Sequence, residues 1–376
     1  MSSEPAPGAS AESPAGSGHG IRARYDSLSR RARTCLIGGI LAVALIAVAS
    51  AVPIPYVALG PGVTVDTLTS HDGTEVISFS GEGVPASVAA KAGQGHLNMT
   101  TISVYDGQTL FSALGLWFQG DYSIVPREEI FPPNKTVEQV NQENAQMFSD
   151  SQSAAEIAAL RYLKYPNVVY VGTIPDSSPS AKVLKPQDQI TGIDDAKVTD
   201  YASLKKALAD SHPGQVVKVT VLRAGKTVEE KVTLAANAEA GKQGFLGIGA
   251  VERPKASFKI DISLANIGGP SAGLMFTLGI VDKLSDEDLT GGRFIAGTGT
   301  MEVDDDKGTV GPIGGILMKM ISARDAGATV FLVPKDNCTE AKTRIPAGLQ
   351  LVKVGTLTDA VDALHTLRTG GTPPTC

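Results

Sequence analysis

The hydropathy pattern is dominated near its start by one uncharged run, residues 34–52, whose centre reads Leu36-Ile37-Gly38-Gly39-Ile40-Leu41-Ala42-Val43-Ala44-Leu45-Ile46-Ala47-Val48. A helix that crosses a bilayer needs ~20 mostly apolar residues, and this run is long enough. Arg22, Arg24, Arg30, Arg31 and Arg33 precede it, and no cation follows closely. That asymmetry leaves an N-terminus in the cytoplasm. The pattern predicts a single-pass anchor at 34–52 with the rest of the chain outside. A cleaved signal peptide is the competing reading, with Ala49-Ser50-Ala51 as a small-residue cleavage site. The length of the apolar run favours the anchor.

Beyond the span, alternation replaces continuous apolarity. Tyr56-Val57-Ala58-Leu59 and Val63-Thr64-Val65 read as short strands around Gly60-Pro61-Gly62, and residues 96–104 as a strand with one buried face. Residues 136–163 predict one or two helices, apolar at Ala154, Ala155, Ile157, Ala158, Ala159 and Leu160. This extracytoplasmic region, 53–163, carries no visible chemistry; it either completes the sheet of the last domain or forms a collar beside the membrane. A small β-rich domain is predicted at 164–235, with a helix at 201–209 and a hairpin turning at Ala224-Gly225-Lys226. Residues 235–241 read as a linker. The last domain, 245–368, alternates strands at 258–262, 293–296, 329–333 and 351–354 with helices, an α/β (α+β) pattern. Residues 369–376 form a loose tail, and 1–33 a polar cytoplasmic one whose first part, rich in Ser, Pro, Gly and Ala, cannot bury a core.

Length and charge narrow this little. The chain of 376 residues suits two or three domains, and a net charge of −6 without a basic, aromatic-laced patch argues against nucleic acid as a partner. Cys35 sits at the membrane edge, while Cys338 and Cys376 lie where a disulfide can persist; a bridge and two free thiols are both open. No Cys/His spacing suggests a metal, no cofactor signature occurs, and there is no Gly-x-x-x-x-Gly-Lys-[Ser/Thr] loop of an ATPase.

Candidate chemistry is concentrated in residues 266–326. The segment opens with Gly268-Gly269-Pro270-Ser271-Ala272-Gly273, followed by an apolar run of helical length. Pro270 suits a first helical turn, which would place Ser271 among free N–H groups at the positive end of a dipole. Gly269, Ser271 and Ala272 are then candidates to hold an oxyanion and approach a substrate backbone. A serine nucleophile needs a base. Lys319, the only charged residue between Lys307 and Arg324, sits in a nearly apolar helix predicted over 316–326, beside Ile316, Ser322 and Ala323, with Gly327 as its C-cap. Burial there lowers a lysine pKa and makes a neutral base available near pH 7.

The combination Gly269-Pro270-Ser271-Ala272-Gly273, Thr298-Gly299 and Pro312-Ile313-Gly314-Gly315 followed by Lys319 resembles the proteolytic domain of the Lon family over residues 258–367. The resemblance implies a Ser-Lys dyad of Ser271 and Lys319, with Thr298 orienting the lysine. It also implies assembly into a ring. Many members carry an acid three residues before the serine; Gly268 stands there. Upstream, Val168-Val169-Tyr170-Val171, Ser178-Pro179-Ser180-Ala181, Asp188-Gln189-Ile190 and Pro213-Gly214-Gln215 resemble a PDZ domain of the bacterial protease type, with Gln187 where a glycine is usual. That resemblance implies peptide capture by strand addition, with Pro166, Asn167 and Val168 receiving a carboxylate. Together the features predict a membrane-anchored, ATP-independent serine endopeptidase acting on flexible or unfolded protein. Two alternatives stand beside it: a catalytically inactive, membrane-tethered peptide-binding adaptor, and a Gly-x-Ser-x-Gly hydrolase using His365, the one histidine after the serine.

Overall fold

The computed structural model describes residues 28–86, 88, 95–236, 243–264, 267–303 and 307–376. The predicted N-terminal tail up to residue 27 and most of the linker lie outside these. Helix α1 (Arg30–Ala51) is continuous and capped by Ser29, whose hydroxyl accepts the Ala32 N–H; none of its residues is buried. It is the one helix among the described residues long and apolar enough to cross a membrane.

The chain then enters a sheet. Strand β1 (Tyr56–Asp66) absorbs both short strands expected from the sequence, with a register shift between Pro61 and Thr64 where the two were read as separate. Strand β2 (Ile77–Ser80) leads to β3 (His96–Tyr105), which pairs antiparallel with β1. Helix α2 (Leu110–Gln119), unforeseen from the sequence, precedes the edge strand β4 (Ser123–Pro126). Residues 137–162 make one long helix, α3 (Val137–Tyr162), not two, because a capping box between Thr136 and Gln139 starts it and no breaker interrupts it.

The small domain follows: β5 (Asn167–Thr173), β6 (Gln189–Ile193), helix α4 (Tyr201–Leu208), and the hairpin of β7 (Val216–Arg223) and β8 (Lys226–Thr233). Strand β9 (Gly249–Pro254), beyond the linker, returns to pair antiparallel with β5 along its length. The sheet order is β8-β7-β6-β5-β9, over its own core of Val169, Val171, Ile190, Val219 and Val221. The sequence-based boundary had assigned β9 to the next domain; its hydrogen bonds tie it to this sheet.

Strand β10 (Lys259–Ile262) pairs with β2. Helix α5 (Gly273–Leu284), strand β11 (Phe294–Gly297), helix α6 (Ile316–Asp325), β12 (Val330–Pro334), β13 (Gln350–Val354) and helix α7 (Leu357–Arg368) complete the chain. Every residue of α5 is buried, and α3 packs across it, with Phe148 edge-on to Phe276. The main sheet runs β13-β12-β11-β3-β1-β4. Its parallel half comes from the C-terminal region; the other half comes from residues 56–126, joined by the parallel β3–β11 pair. Of the two readings of the region after the span, the strands follow the first: they complete the sheet. The expected loose tail is tied down by a Cys338–Cys376 disulfide, and Lys353 N–H donates to the Pro374 carbonyl.

Candidate active site

Ser271 sits in a turn and α5 begins at Gly273, so the serine precedes the helix by two residues instead of occupying its first turn. Two elements hold this turn. Thr298 Oγ1 and the Gly299 N–H both donate to the Ser271 carbonyl at 2.9 Å, and Leu274 N–H donates to the Gly299 carbonyl at 3.1 Å. From the other side, Ser151 of α3 donates to the Pro270 carbonyl at 3.0 Å.

Lys319 arrives on α6. That helix starts from Gly315, whose φ of +71° turns the chain sharply, and where a Cβ would come 2.9 Å from Ile102 of β3. At the far end, Gly327 N–H bonds to the Arg324 carbonyl and Ala328 N–H to the Ala323 carbonyl, a Schellman closure. One turn into α6, Lys319 is 2% exposed. Its Nζ lies 2.6 Å from Ser271 Oγ and 3.0 Å from Thr298 Oγ1. Burial pushes the amine down from 10.5 to about 7. A neutral amine at this distance can accept a hydroxyl proton. Thr298 constrains how the amine can point. Its hydrogen is committed to the Ser271 carbonyl, so its oxygen is left to accept an N–H from Lys319, and the amine lone pair can turn to Ser271.

The two side chains open on a cleft of about 1130 Å³, walled by Gly268–Ala272, Pro312–Gly314, the face of α3 around Asn144, and Thr101–Val104 of β3. Of the residues expected to bind an oxyanion, Ser271 and Ala272 have backbone N–H groups without a partner among the described residues. Gly269 does not: its N–H donates to the Asn144 carbonyl at 2.9 Å. Asn144 also accounts for Gly268, because a Cβ there would come 3.0 Å from Asn144 Cβ. His365 lies on the exposed face of α7 against Arg368, away from the cleft. No group of three or more His, Cys, Asp and Glu that could hold a metal occurs among the described residues.

The residues expected to receive a peptide carboxylate are occupied. Asn167 pairs with Pro254, Val168 with Arg253, and the Pro166 carbonyl accepts the Lys255 N–H. Strand β5 lies between β6 and β9 and has no free edge; the edges of the sheet are β8 and β9. Just before β9, the N–H groups of Leu246, Gly247 and Ile248 have no partner among the described residues, and Gly247 adopts φ +71°. The only local sign in the sequence was Gly244-Phe245-Leu246-Gly247-Ile248, a glycine-bracketed apolar run. Asn144, Ser151 and Asn337, which donates to and accepts from the Ile313 backbone at 2.9 Å, also support the cleft. Nothing in their sequence context marks them.

Residues 263–365 match the family described as the Lon protease (S16) C-terminal proteolytic domain, and residues 137–234 match the PDZ domain family. Among solved structures, the PDZ domain of an SdrC-like protein from Listeria monocytogenes is 29% identical, covering 22% of this chain and 86% of that one, with a TM-score of 0.21. The corresponding domain from Listeria innocua is 24% identical, covering 22% and 92%, with a TM-score of 0.21. The solution structure of GtR34C from Geobacillus thermodenitrificans is 25% identical, covering 22% and 94%, with a TM-score of 0.20. The C-terminal part of the chain belongs to the Lon (S16) proteolytic-domain family, and the module before it to the PDZ family, in one chain.

Proposed function

We propose that this protein is a membrane-anchored serine endopeptidase in which Ser271 is the nucleophile and Lys319 the general base. The observation that carries the reading is the 2.6 Å approach of a buried amine to a half-buried serine hydroxyl, with burial lowering the amine's pKa. Ser271 Oγ attacks the scissile carbonyl carbon as its proton passes to Lys319 Nζ. The developing oxyanion is taken by the N–H groups of Ser271 and Ala272. Collapse of the tetrahedral intermediate breaks the C–N bond, and the lysine ammonium returns its proton to the leaving amine. Water, deprotonated by the again neutral Lys319, then cleaves the ester and frees Ser271.

The sequence carries no nucleotide-binding loop, so we assign no ATP-driven motor, and the substrates are flexible or unfolded segments that can enter the cleft extended. The PDZ module captures such segments on the free edge of β9, with the N–H groups of Leu246–Ile248 facing a terminal carboxylate. Helix α1 is the anchor, and the Cys338–Cys376 bridge suits a proteolytic domain outside the cytoplasm. The test is cleavage of casein by the purified protein alongside its Ser271→Ala variant, both without ATP. Cleavage by the first and not the second supports the assignment. If neither cleaves and no serine-directed probe labels Ser271, the protein is the inactive adaptor.

A further inference from the structure

Helix α2 turns its large apolar side chains outward. Leu110, Phe111, Leu114, Trp117 and Phe118 are 40–76% exposed, while Ala113 is its one buried residue. At 100° per residue, the five exposed positions fall within an arc of about 120°. Such a stripe ordinarily faces a core. No charged residue occurs between Asp106 and Asp121 to interrupt it.

The helix is held at both ends. Thr109 and Ser112 form a capping box at its start. At its end, Arg344 donates to the Gly120 carbonyl and pairs with Asp121 at 2.7 Å, which ties α2 to the proteolytic domain. Its position indicates what covers it. Directly after α1, Pro53 bridges to Thr109, Ile54 N–H donates to the Gln108 carbonyl at 2.8 Å, and α1 packs against α2. The stripe therefore begins where the spanning helix ends.

We propose that α2 lies in the membrane interface, with its apolar stripe sunk into the leaflet from which the C-terminal end of α1 emerges. It forms a second, non-spanning contact that holds the proteolytic domain against the bilayer in one orientation. Trp and Phe beside uncharged polar residues suit the headgroup boundary, where an amphipathic helix buries its apolar face ~5–10 Å deep. The proposal rests on the reading of α1 as an anchor.

Trp117 is the only tryptophan of the chain, so tryptophan fluorescence, excited beyond the tyrosine band, reports on α2 alone. The full-length protein is reconstituted in phosphatidylcholine vesicles with or without lipids brominated near the carbonyl end of the acyl chain. An interfacial α2 gives at least about two-fold quenching by the brominated lipid and protection from aqueous iodide. Quenching by iodide and not by bromolipid places α2 in water; resistance to both places it against protein, such as a second copy. Either result overturns the proposal. Alkaline carbonate extraction of the same vesicles separates the two readings. Release of the protein overturns the anchor and, with it, this proposal; retention with Trp117 unquenched overturns the interfacial helix alone.

Discussion

An amine buried with no carboxylate beside it gives up its proton more readily than one in water, and Lys319 is in that position among the described residues. Its folded pKa, about 7, lies below the free value of 10.5, so between these pH values the unfolded chain binds the extra proton. Stability therefore rises with pH through that window, and the full cost of the lysine is felt below it. At about 1.4 kcal/mol per pKa unit, the cost is on the order of several kcal/mol. Lys319→Met should raise the melting temperature more at pH 6 than at pH 10 while abolishing hydrolysis; a gain independent of pH would contradict the buried-amine account. Lys319→Arg should also be inactive, because a guanidinium keeps its proton. Thr298→Ala should lower kcat by about 10–100-fold, and Thr298→Ser should restore most of it, since the hydroxyl alone orients the amine. Ser271 and Lys319 stand out in the sequence as a serine among small residues and a lone cation in an apolar helix, whereas Thr298 comes only from the family resemblance; the structure brings the three side chains together. The loss of Gly269 as an oxyanion donor was not legible, because the carbonyl that takes its N–H comes from Asn144, more than a hundred residues earlier.

At the scale of elements, α3 supports the turn that carries Ser271. Its Asn144 and Ser151 bond to Gly269 and Pro270, the two residues before Ser271, and its apolar face covers α5. Restoring an acid at Gly268 should therefore harm this protein: Gly268→Asp drives a side chain toward Asn144 and should displace the turn, lowering kcat/KM about ten-fold or more. Wild-type rates in that variant would show that α3 can give way. The periodicity of α3 could be read from its sequence, but its partner could not, since packing direction depends on the far end of the chain. Strand β9 shows the same limit. Its Gly249-Ala250-Val251-Glu252-Arg253-Pro254 run carries no clear strand signal in the sequence, and only the pairing with β5 assigns it to the PDZ sheet, as one of its two edges.

For the whole molecule, the proteolytic domain is built from two distant stretches. Strands β1, β3 and β4 complete the sheet of β11, β12 and β13, with the PDZ module inserted between the stretches. A fragment restricted to residues 245–376 lacks half of that sheet and the helix over α5, and should fail to give a cooperative thermal transition; a sharp transition would show that the C-terminal half folds alone. The Cys338–Cys376 bridge closes the tail over a sequence separation of 38 residues. A loop of that size is worth about 2–4 kcal/mol, so Cys376→Ser should lower the melting temperature by several degrees. The bridge also lies next to Asn337, the residue that clasps Ile313 in the cleft wall.

The central claim is that a neutral Lys319 takes the proton of Ser271. Its most direct test is the rate at which a fluorophosphonate modifies Ser271 as a function of pH. The account predicts a rate that rises through an inflection near pH 7, with labelling absent in Ser271→Ala and lost in Lys319→Arg. A rate flat from mildly acidic to mildly alkaline pH, or labelling that persists in Lys319→Arg, would contradict it.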